Sequence, residues 1–207
     1  MFPNARNLGF HGGNFNDVRG DYHHHVHGRK GMDLLLERIA PGAFHNSEER
    51  FDPPKCHPRT RVAVLNKISN WVEDPMKKTS IMWMYGPAGA GKSAIAQTIA
   101  EKYDSSYLAA SFFFARTSTD RNTSKPLIVT LAYQLLVSIP TFKLHVENII
   151  ENDPSIFSKS LETQMKTLIV EPLLKVLTAF SNMPPDSRRW PHLIIIDGLD
   201  ECQGHQV

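Results

Sequence analysis

The sequence predicts an α/β protein in which helices cover both faces of a parallel β-sheet, a three-layer α/β/α sandwich. Three observations support this fold class. Short apolar segments of strand length alternate with segments of helix length, a glycine-rich loop joins the first apolar segment to a helix, and 41% of the 207 residues are hydrophobic. The length suits one ordinary domain, and this hydrophobic content is enough for one core.

The first quarter of the chain divides into a tail and a connector. Residues 1–31 are rich in Gly, Asn and His and lack helix or strand periodicity, so we expect a disordered tail. The tail contains the run HHHVH, which either binds a transition metal or is simply a solvated polar segment. Residues 32–59 predict a connector that begins with a short apolar helix, and residues 60–207 predict the globular domain.

Three apolar segments of the domain predict strands. Residues 81–85 (IMWMY) are wholly apolar, as expected for a strand buried on both faces of a parallel sheet. Residues 107–115 and 193–197 predict the second and third strands. Helices are expected over 60–72, 93–103, 126–139, 141–151 and 160–180, and Pro172 either kinks the last helix or starts a new one.

The loop GPAGAGKS follows the first predicted strand and matches the pattern G-x-x-x-x-G-K-[ST]. Its glycines leave space for backbone amides to surround phosphate oxygens, and the N-terminus of the next helix attracts the same anion. Lys92 should neutralise the β- and γ-phosphates, and the Ser93 hydroxyl should bind Mg²⁺. The alternative is a glycine-rich turn without a ligand. The predicted nucleotide-binding residues are Gly86, Pro87, Ala88, Gly89, Ala90, Gly91, Lys92, Ser93 and Ala94.

A second motif, LIIIDGLDE, ends the third predicted strand with carboxylates. Asp197 at the strand tip should lie beside the glycine loop and hold Mg²⁺ through water, so Ser93 and Asp197 are the predicted metal ligands. Asp200 and Glu201 could orient or deprotonate an attacking water, and together with Lys92 they are the predicted catalytic residues. The alternative for these two carboxylates is a solvated loop.

Composition excludes several other classes. With 23 basic and 21 acidic residues the net charge is +2, so no broad positive field indicates binding to nucleic acid or to an anionic membrane. The sequence also lacks an uncharged apolar run of the ~18–20 residues that span a bilayer. Two widely separated cysteines and an N-terminus without a signal-peptide pattern favour a reduced, cytoplasmic location.

The segments GPAGAGKSAIAQTIAE and LIIIDGLDEC, joined by ASFFFAR, IVTLAYQL and LIVEPLLKVL, resemble the Walker A and Walker B regions of the NACHT family of STAND P-loop ATPases. More narrowly, the chain resembles nephrocystin-type NACHT proteins of mushroom-forming fungi, which share a segment like GAFHNSEERFDPPKCHPRTR. The resemblance extends from about residue 32 to the C-terminus. It implies a signalling switch that binds ATP with Mg²⁺, hydrolyses it slowly, and associates with protein partners or with itself.

The resemblance also bears on individual residues. It implies that Asp200 rather than Glu201 is the catalytic acid, with Gly198 as the small residue that follows the Mg²⁺-site aspartate. Arg116 matches a basic position whose role is unassigned. The preference for ATP over GTP comes from the resemblance alone, because no base-recognition motif is readable in the sequence.

One departure from the family leads to further expectations. The family sheet has the strand order 5-1-4-3-2, and this sequence supplies strands 1, 2 and 3. We therefore expect residues 81–85 and 193–196 to lack a central partner strand, and the chain to be a C-terminally truncated fragment with poor ATPase activity. Two alternatives remain open. One is a non-catalytic interaction protein that pairs with full-length partners, and the other is a small-molecule kinase, for which no arginine-rich lid is visible.

Overall fold

Two parallel strands form the centre of the fold. The computed structural model describes residues 30–179 and 190–204, and there β1 (Leu108–Phe113) pairs in parallel with β2 (Leu193–Asp197). Every residue of β1 is buried, and the register places Phe113 opposite Asp197. The second and third predicted strands are therefore confirmed. The tail up to residue 29, with its histidine run, lies outside the described residues.

Seven α-helices are described in the same ranges. They are α1 (Gly31–Leu36), α2 (Val62–Glu73), α3 (Lys92–Tyr103), α4 (Leu127–Ser138), α5 (Pro140–Asn152), α6 (Leu161–Met165) and α7 (Glu171–Ala179). Short 3-10 turns cover Pro41–Ala43, Glu48–Arg50, Pro154–Ser158 and Leu199–Glu201. Each predicted helix of the domain is found at its expected place, within one or two residues at most ends.

A π-helical segment precedes Pro172, the residue predicted either to kink the last helix or to start a new one. Residues Lys166–Val170 are π-helical and join α6 to α7, and Pro172 is the second residue of α7. Proline has no N–H to donate to the carbonyl four residues earlier. The π-helical turn just before it accommodates the missing hydrogen bond. Pro172 therefore marks the start of α7, which continues directly from α6 and the π-helical turn.

Helices pack against both faces of the two strands. On one face, α1, α4, α5, α6 and α7 bury a cluster that includes Leu35, Phe112 and Phe142. On the other face, α2 and α3 bury a smaller cluster that includes Ile99 and Phe113. Each large apolar side chain removed from water contributes roughly 1.5–3 kcal/mol. The adjacent residues Phe112 and Phe113 of β1 thus belong to two cores separated by the sheet.

The segment before α2 is part of this packing. Leu34 and Leu35 of α1 and Ala40 and Ala43 after it are buried in the larger cluster. The Ala40 amide donates a hydrogen bond to Thr130 Oγ1 of α4 at 2.9 Å. The short apolar helix and the turn after it therefore pack on the same core as the central strands.

Residues 81–85 do not form the strand that the sequence predicts. They were expected to form a buried strand, but in the described structure they have no strand pairing, and Ile81, Trp83 and Tyr85 are 80%, 67% and 84% exposed. A strand needs a neighbour for its backbone hydrogen bonds, and among the described residues the sheet contains only β1 and β2. The sheet is accordingly smaller than predicted, and the fold is mixed α/β with a two-stranded parallel sheet.

A membrane-spanning helix was not expected. Within residues 30–179 and 190–204, no helix has both the length and the apolar character needed to cross a bilayer.

Candidate functional site

The glycine loop ends at the N-terminus of α3. Gly89 and Gly91 have φ angles of +74° and +82°, a left-handed conformation that glycine adopts without steric strain. Gly91 is the N-cap of α3 and provides no side chain to cap the helix. The first N–H groups of a helix lack partners within that helix, so this end of α3 presents free donors beside the loop. The local geometry suits an anion with several oxygen acceptors.

Lys92, the first residue of α3, turns its ammonium group back onto the loop. Lys92 Nζ donates hydrogen bonds to the carbonyl oxygens of Gly86 at 2.9 Å and of Pro87 at 3.1 Å. These neutral acceptors are weaker partners for a cation than phosphate oxygens are. The Ser93 hydroxyl makes no hydrogen bond within the described part of the chain and is partly exposed. The Lys92 ammonium is therefore bound only to neutral oxygens of its own loop, and the Ser93 hydroxyl is without a partner among the described residues.

The loop and the aspartate of β2 lie at the same edge of the sheet. α3 ends at Tyr103, shortly before β1 begins at Leu108, so the C-terminus of α3 is at the amino ends of the strands. A helix of 12 residues is about 18 Å long, close to the length of a six-residue strand. Because α3 packs against both strands, its N-terminus reaches their carboxyl ends, where Asp197 is located.

After β2 the chain turns sharply at Gly198. Gly198 has a φ of +73°, and a Cβ atom there would lie 3.1 Å from the Phe114 carbonyl oxygen. Only glycine fits both the left-handed conformation and this close approach. The 3-10 turn Leu199–Glu201 follows at once and brings its acidic residues to the end of β1.

The two candidate catalytic carboxylates have different surroundings. Glu201 Oε2 accepts the backbone N–H of Arg116 at 3.0 Å, and the Arg116 guanidinium donates to the Asp200 carbonyl at 3.0 Å. The Asp200 carboxylate is exposed and, in the ranges described, has no hydrogen-bond partner. Glu201 and Arg116 thus hold the two loops together, and Asp200 is the carboxylate left free.

Sequence analysis missed two arginines near this edge. The Arg50 guanidinium lies over the Phe113 ring, with its central carbon 3.7 Å from the ring centroid, and Arg50 Nη2 donates to Gln97 Oε1 at 2.9 Å. Burial lowers the pKa of Arg50 to about 10, the positive charge of Arg121 adds to this effect, and the negative charge of Asp197 opposes it. Arg50 stands in the predicted connector, inside the family-like segment GAFHNSEERFDPPKCHPRTR, but the resemblance assigns no role to it.

A third arginine contacts the loop directly. A Cβ atom on Gly91 would lie 3.0 Å from Nη2 and 3.2 Å from the central carbon of the Arg61 guanidinium. Arg61 is the N-cap of α2, and its side chain has no hydrogen bond or ion pair among the described residues. Two cations, Lys92 and Arg61, therefore contact the loop, and neither has an acidic partner within residues 30–179 and 190–204.

A serine, a histidine and an aspartate also lie in line, but they have a structural role. His45 Nδ1 is 3.3 Å from Ser111 Oγ, and His45 Nε2 is 3.0 Å from Asp104 Oδ1. Ser111 is completely buried, and its Oγ accepts the His45 backbone N–H at 3.0 Å. A substrate cannot reach this hydroxyl, so the cluster fastens residue 45 to β1 and α3. Burial lowers the pKa of His45, an effect that the charges of Asp104 and Glu101 partly oppose.

No dedicated metal cage is present in the residues described: they contain no group of three or more His, Cys, Asp or Glu side chains placed to hold a metal ion. A Mg²⁺ ion does not need one. It usually keeps several waters and binds through one or two protein oxygens together with substrate phosphates. The residues Ser93 and Asp197 fit that mode of binding.

The fold and the site define a mixed α/β protein with parallel strands and a glycine loop at the start of a helix. The family described as Nephrocystin 3, N-terminal matches residues 61–207, which is most of the chain, and the protein belongs to that family. No curated protein and no solved structure matches the chain. The nephrocystin-type resemblance is thus confirmed at the level of the family.

Proposed function

We propose that the protein is the nucleotide-binding module of a NACHT-type STAND switch, with a P-loop NTPase fold that binds ATP together with Mg²⁺. The observation that carries the proposal is the loop 86–93. It has left-handed glycines, ends at the exposed N-terminus of a helix, and holds its lysine over its own carbonyl oxygens. Such loops hold the phosphates of nucleotides in the P-loop class.

Each residue has a role in this proposal. The amides of Gly89 and of residues 91–94 donate to the phosphate oxygens, and Lys92 exchanges the two carbonyl oxygens for the β- and γ-phosphates. Ser93 and Asp197 hold Mg²⁺, which neutralises charge on the phosphates when it is bound. Asp200 orients the attacking water, because its carboxylate is free, whereas Glu201 is held by the Arg116 amide.

A switch requires that ATP and ADP favour different states of the protein. A ligand shifts an equilibrium only through its different affinities for the two states. The turn after β2 and the segment after β1 would change position with the bound nucleotide. Hydrogen bonds of Arg116 to Glu201 and Asp200 link these two segments. We propose that this coupled unit responds to the nucleotide and passes the change to protein partners in the cytoplasm.

An exposed apolar segment favours a second candidate function, that of a non-catalytic interaction protein that pairs with full-length relatives. Ile81, Trp83 and Tyr85 are mostly exposed. On β2, the exposed fractions of Ile194 and Ile196 are 37% and 40%. Exposed apolar side chains at an unpaired sheet edge favour association with another chain. Self-association without nucleotide binding would favour this candidate over the first.

Titration calorimetry with ATP, ADP and GTP in Mg²⁺ buffer tests the proposal. Lys92→Ala removes a charge-assisted contact worth ~1.5–3 kcal/mol, so we expect affinity for the preferred nucleotide to fall about ten- to a hundredfold. Lys143→Ala is the matched control, because Lys143 pairs with Glu147 on α5, away from the loop. Equal ATP affinity of the Lys92→Ala protein and its parent would overturn the proposal.

A further inference from the structure

Two arginines near the candidate site, Arg50 and Arg121, have guanidinium donors that no described residue accepts. Arg121 belongs to the loop after β1, where its carbonyl oxygen accepts the Ala115 N–H at 3.2 Å and its own N–H donates to the Ser118 carbonyl at 3.3 Å. Its guanidinium group makes no hydrogen bond or ion pair in the part of the chain that the structure describes. The Nε atoms of Arg50 and Arg121 are both buried and have no hydrogen-bond partner among the described residues.

Buried donors of this kind are rare because they lose water without gaining an acceptor. Here the two donors also belong to like charges that repel each other: burial lowers the pKa of Arg50, and the Arg121 charge lowers it further. Asp197 attracts Arg50 but forms no ion pair with either arginine within 4.0 Å among the described residues. The carboxylates of Glu49 and Asp120, the residues that precede the two arginines, lie against Gly42, and neither forms an ion pair with Arg50 or Arg121 in the described part of the chain.

Two contacts fix the position of Arg50 relative to the nucleotide site. Its guanidinium group covers Phe113, which pairs with Asp197 across the sheet. It also bonds to Gln97, which stands four residues after Ser93 on α3. Residues four apart on a helix lie on one face, with Cβ atoms about 5–6 Å apart. Arg50 therefore lies at the carboxyl ends of the strands, over Phe113 and about one helical turn along α3 from Ser93.

We propose that Arg50 and Arg121 bind the terminal phosphate of the nucleotide and so distinguish a triphosphate from a diphosphate. This inference rests on the proposed function. Both arginines are partly exposed, and a guanidinium group presents its donors in a planar fork that matches phosphate oxygens. The loop amides hold the inner phosphates and Lys92 bridges the second and third, so the arginines beyond the loop contact only the third phosphate.

The pair would give the switch its selectivity. Contacts made by the loop are common to ATP and ADP and shift no equilibrium between them. Contacts to the terminal phosphate exist only with ATP. Because Arg50 stands before α2 and Arg121 follows β1, binding of that phosphate would draw together two segments separated by α2, α3 and β1.

The experiment measures the dissociation constants of Mg-ATP and Mg-ADP for the full chain by calorimetry. Arg121→Gln should weaken ATP binding about ten- to a hundredfold and change ADP binding less than about twofold. Arg121→Lys keeps the charge without the fork and should give an intermediate ratio. Arg38→Gln is the control, because Arg38 lies on the opposite core against Phe157, and it should change neither constant.

The ratio of the Mg-ATP and Mg-ADP dissociation constants distinguishes binding of the terminal phosphate from a structural role of the arginines. A variant that only disturbs folding weakens both nucleotides together, and far-UV circular dichroism detects it. Should Arg121→Gln fail to fold, Arg50→Lys provides the second test, with loss of ATP preference expected and retained preference contradicting the inference. If the parent binds both nucleotides and the arginine variants keep its ATP-to-ADP ratio, the inference fails while the proposed function stands. If the parent binds neither, both fail.

Discussion

A methyl group added to the glycine loop should destabilise the protein by an amount that depends on which glycine receives it. Gly89 and Gly91 both have left-handed φ angles, which cost a residue with a side chain about 1–2 kcal/mol. At Gly89 the new Cβ meets no atom of the described residues within 4 Å, so Gly89→Ala should cost that amount alone. At Gly91 the Cβ lies 3.0 Å from Arg61, and displacing this flexible side chain should add about 1 kcal/mol.

Urea unfolding followed by circular dichroism measures these differences. We expect Gly91→Ala to lose about 2–3 kcal/mol and Gly89→Ala about 1–2 kcal/mol. In an Arg61→Ala background the excess at Gly91 should disappear, since the atoms in the way are gone. An excess at Gly91 that persists without the arginine would contradict the contact. Losses below about 0.3 kcal/mol at both positions would refute the loop conformation itself.

Three further outcomes follow from the geometry. Burial lowers the pKa of His45, so the imidazole binds a proton more readily in the unfolded state than in the folded state. Thermal stability should therefore fall as the pH drops below about 6.5, the ordinary pKa of histidine, and His45→Gln should remove this contribution to the pH dependence. Phe142→Ala, at a fully buried site, should cost about 3–5 kcal/mol by urea unfolding, whereas Leu144→Ala on the exposed side of the same helix should cost less than about 0.5 kcal/mol. In phosphate-release assays Asp200→Asn should slow any ATP hydrolysis about 10²–10⁴-fold without loss of ATP binding, and unchanged hydrolysis would exclude Asp200 as the catalytic acid.

Local signals were sufficient to predict most elements. Pro126 immediately precedes α4, and Pro140 is the first residue of α5, as expected for a residue with a fixed φ angle and no N–H. The strand ending at Asp197 was predictable because four apolar residues precede a carboxylate and a glycine. The conformation of the loop 86–93 was equally accessible, since its glycines and the helix after it are adjacent in sequence.

Long-range features were not predictable from local sequence. The apolar character of residues 81–85 indicates a buried strand, yet strand formation depends on a neighbour that no short segment specifies. Arg50 and Arg121 are 71 residues apart, and only the packing of Phe113 against α3 brings the first of them to the sheet edge. The contact between Arg61 and Gly91 likewise depends on how α2 and α3 pack.

Amide hydrogen exchange of the loop is the most direct measurement of the central claim, that residues 86–94 bind nucleotide phosphates. Exchange should be followed by mass spectrometry in Mg²⁺ buffer with and without millimolar ATP, on the parent and on Lys92→Ala. Because the amides of the loop and the first turn of α3 would donate to phosphate oxygens, ATP should slow their exchange in the parent and much less in Lys92→Ala. Exchange of residues 86–94 that is the same with and without ATP in the parent would contradict the account.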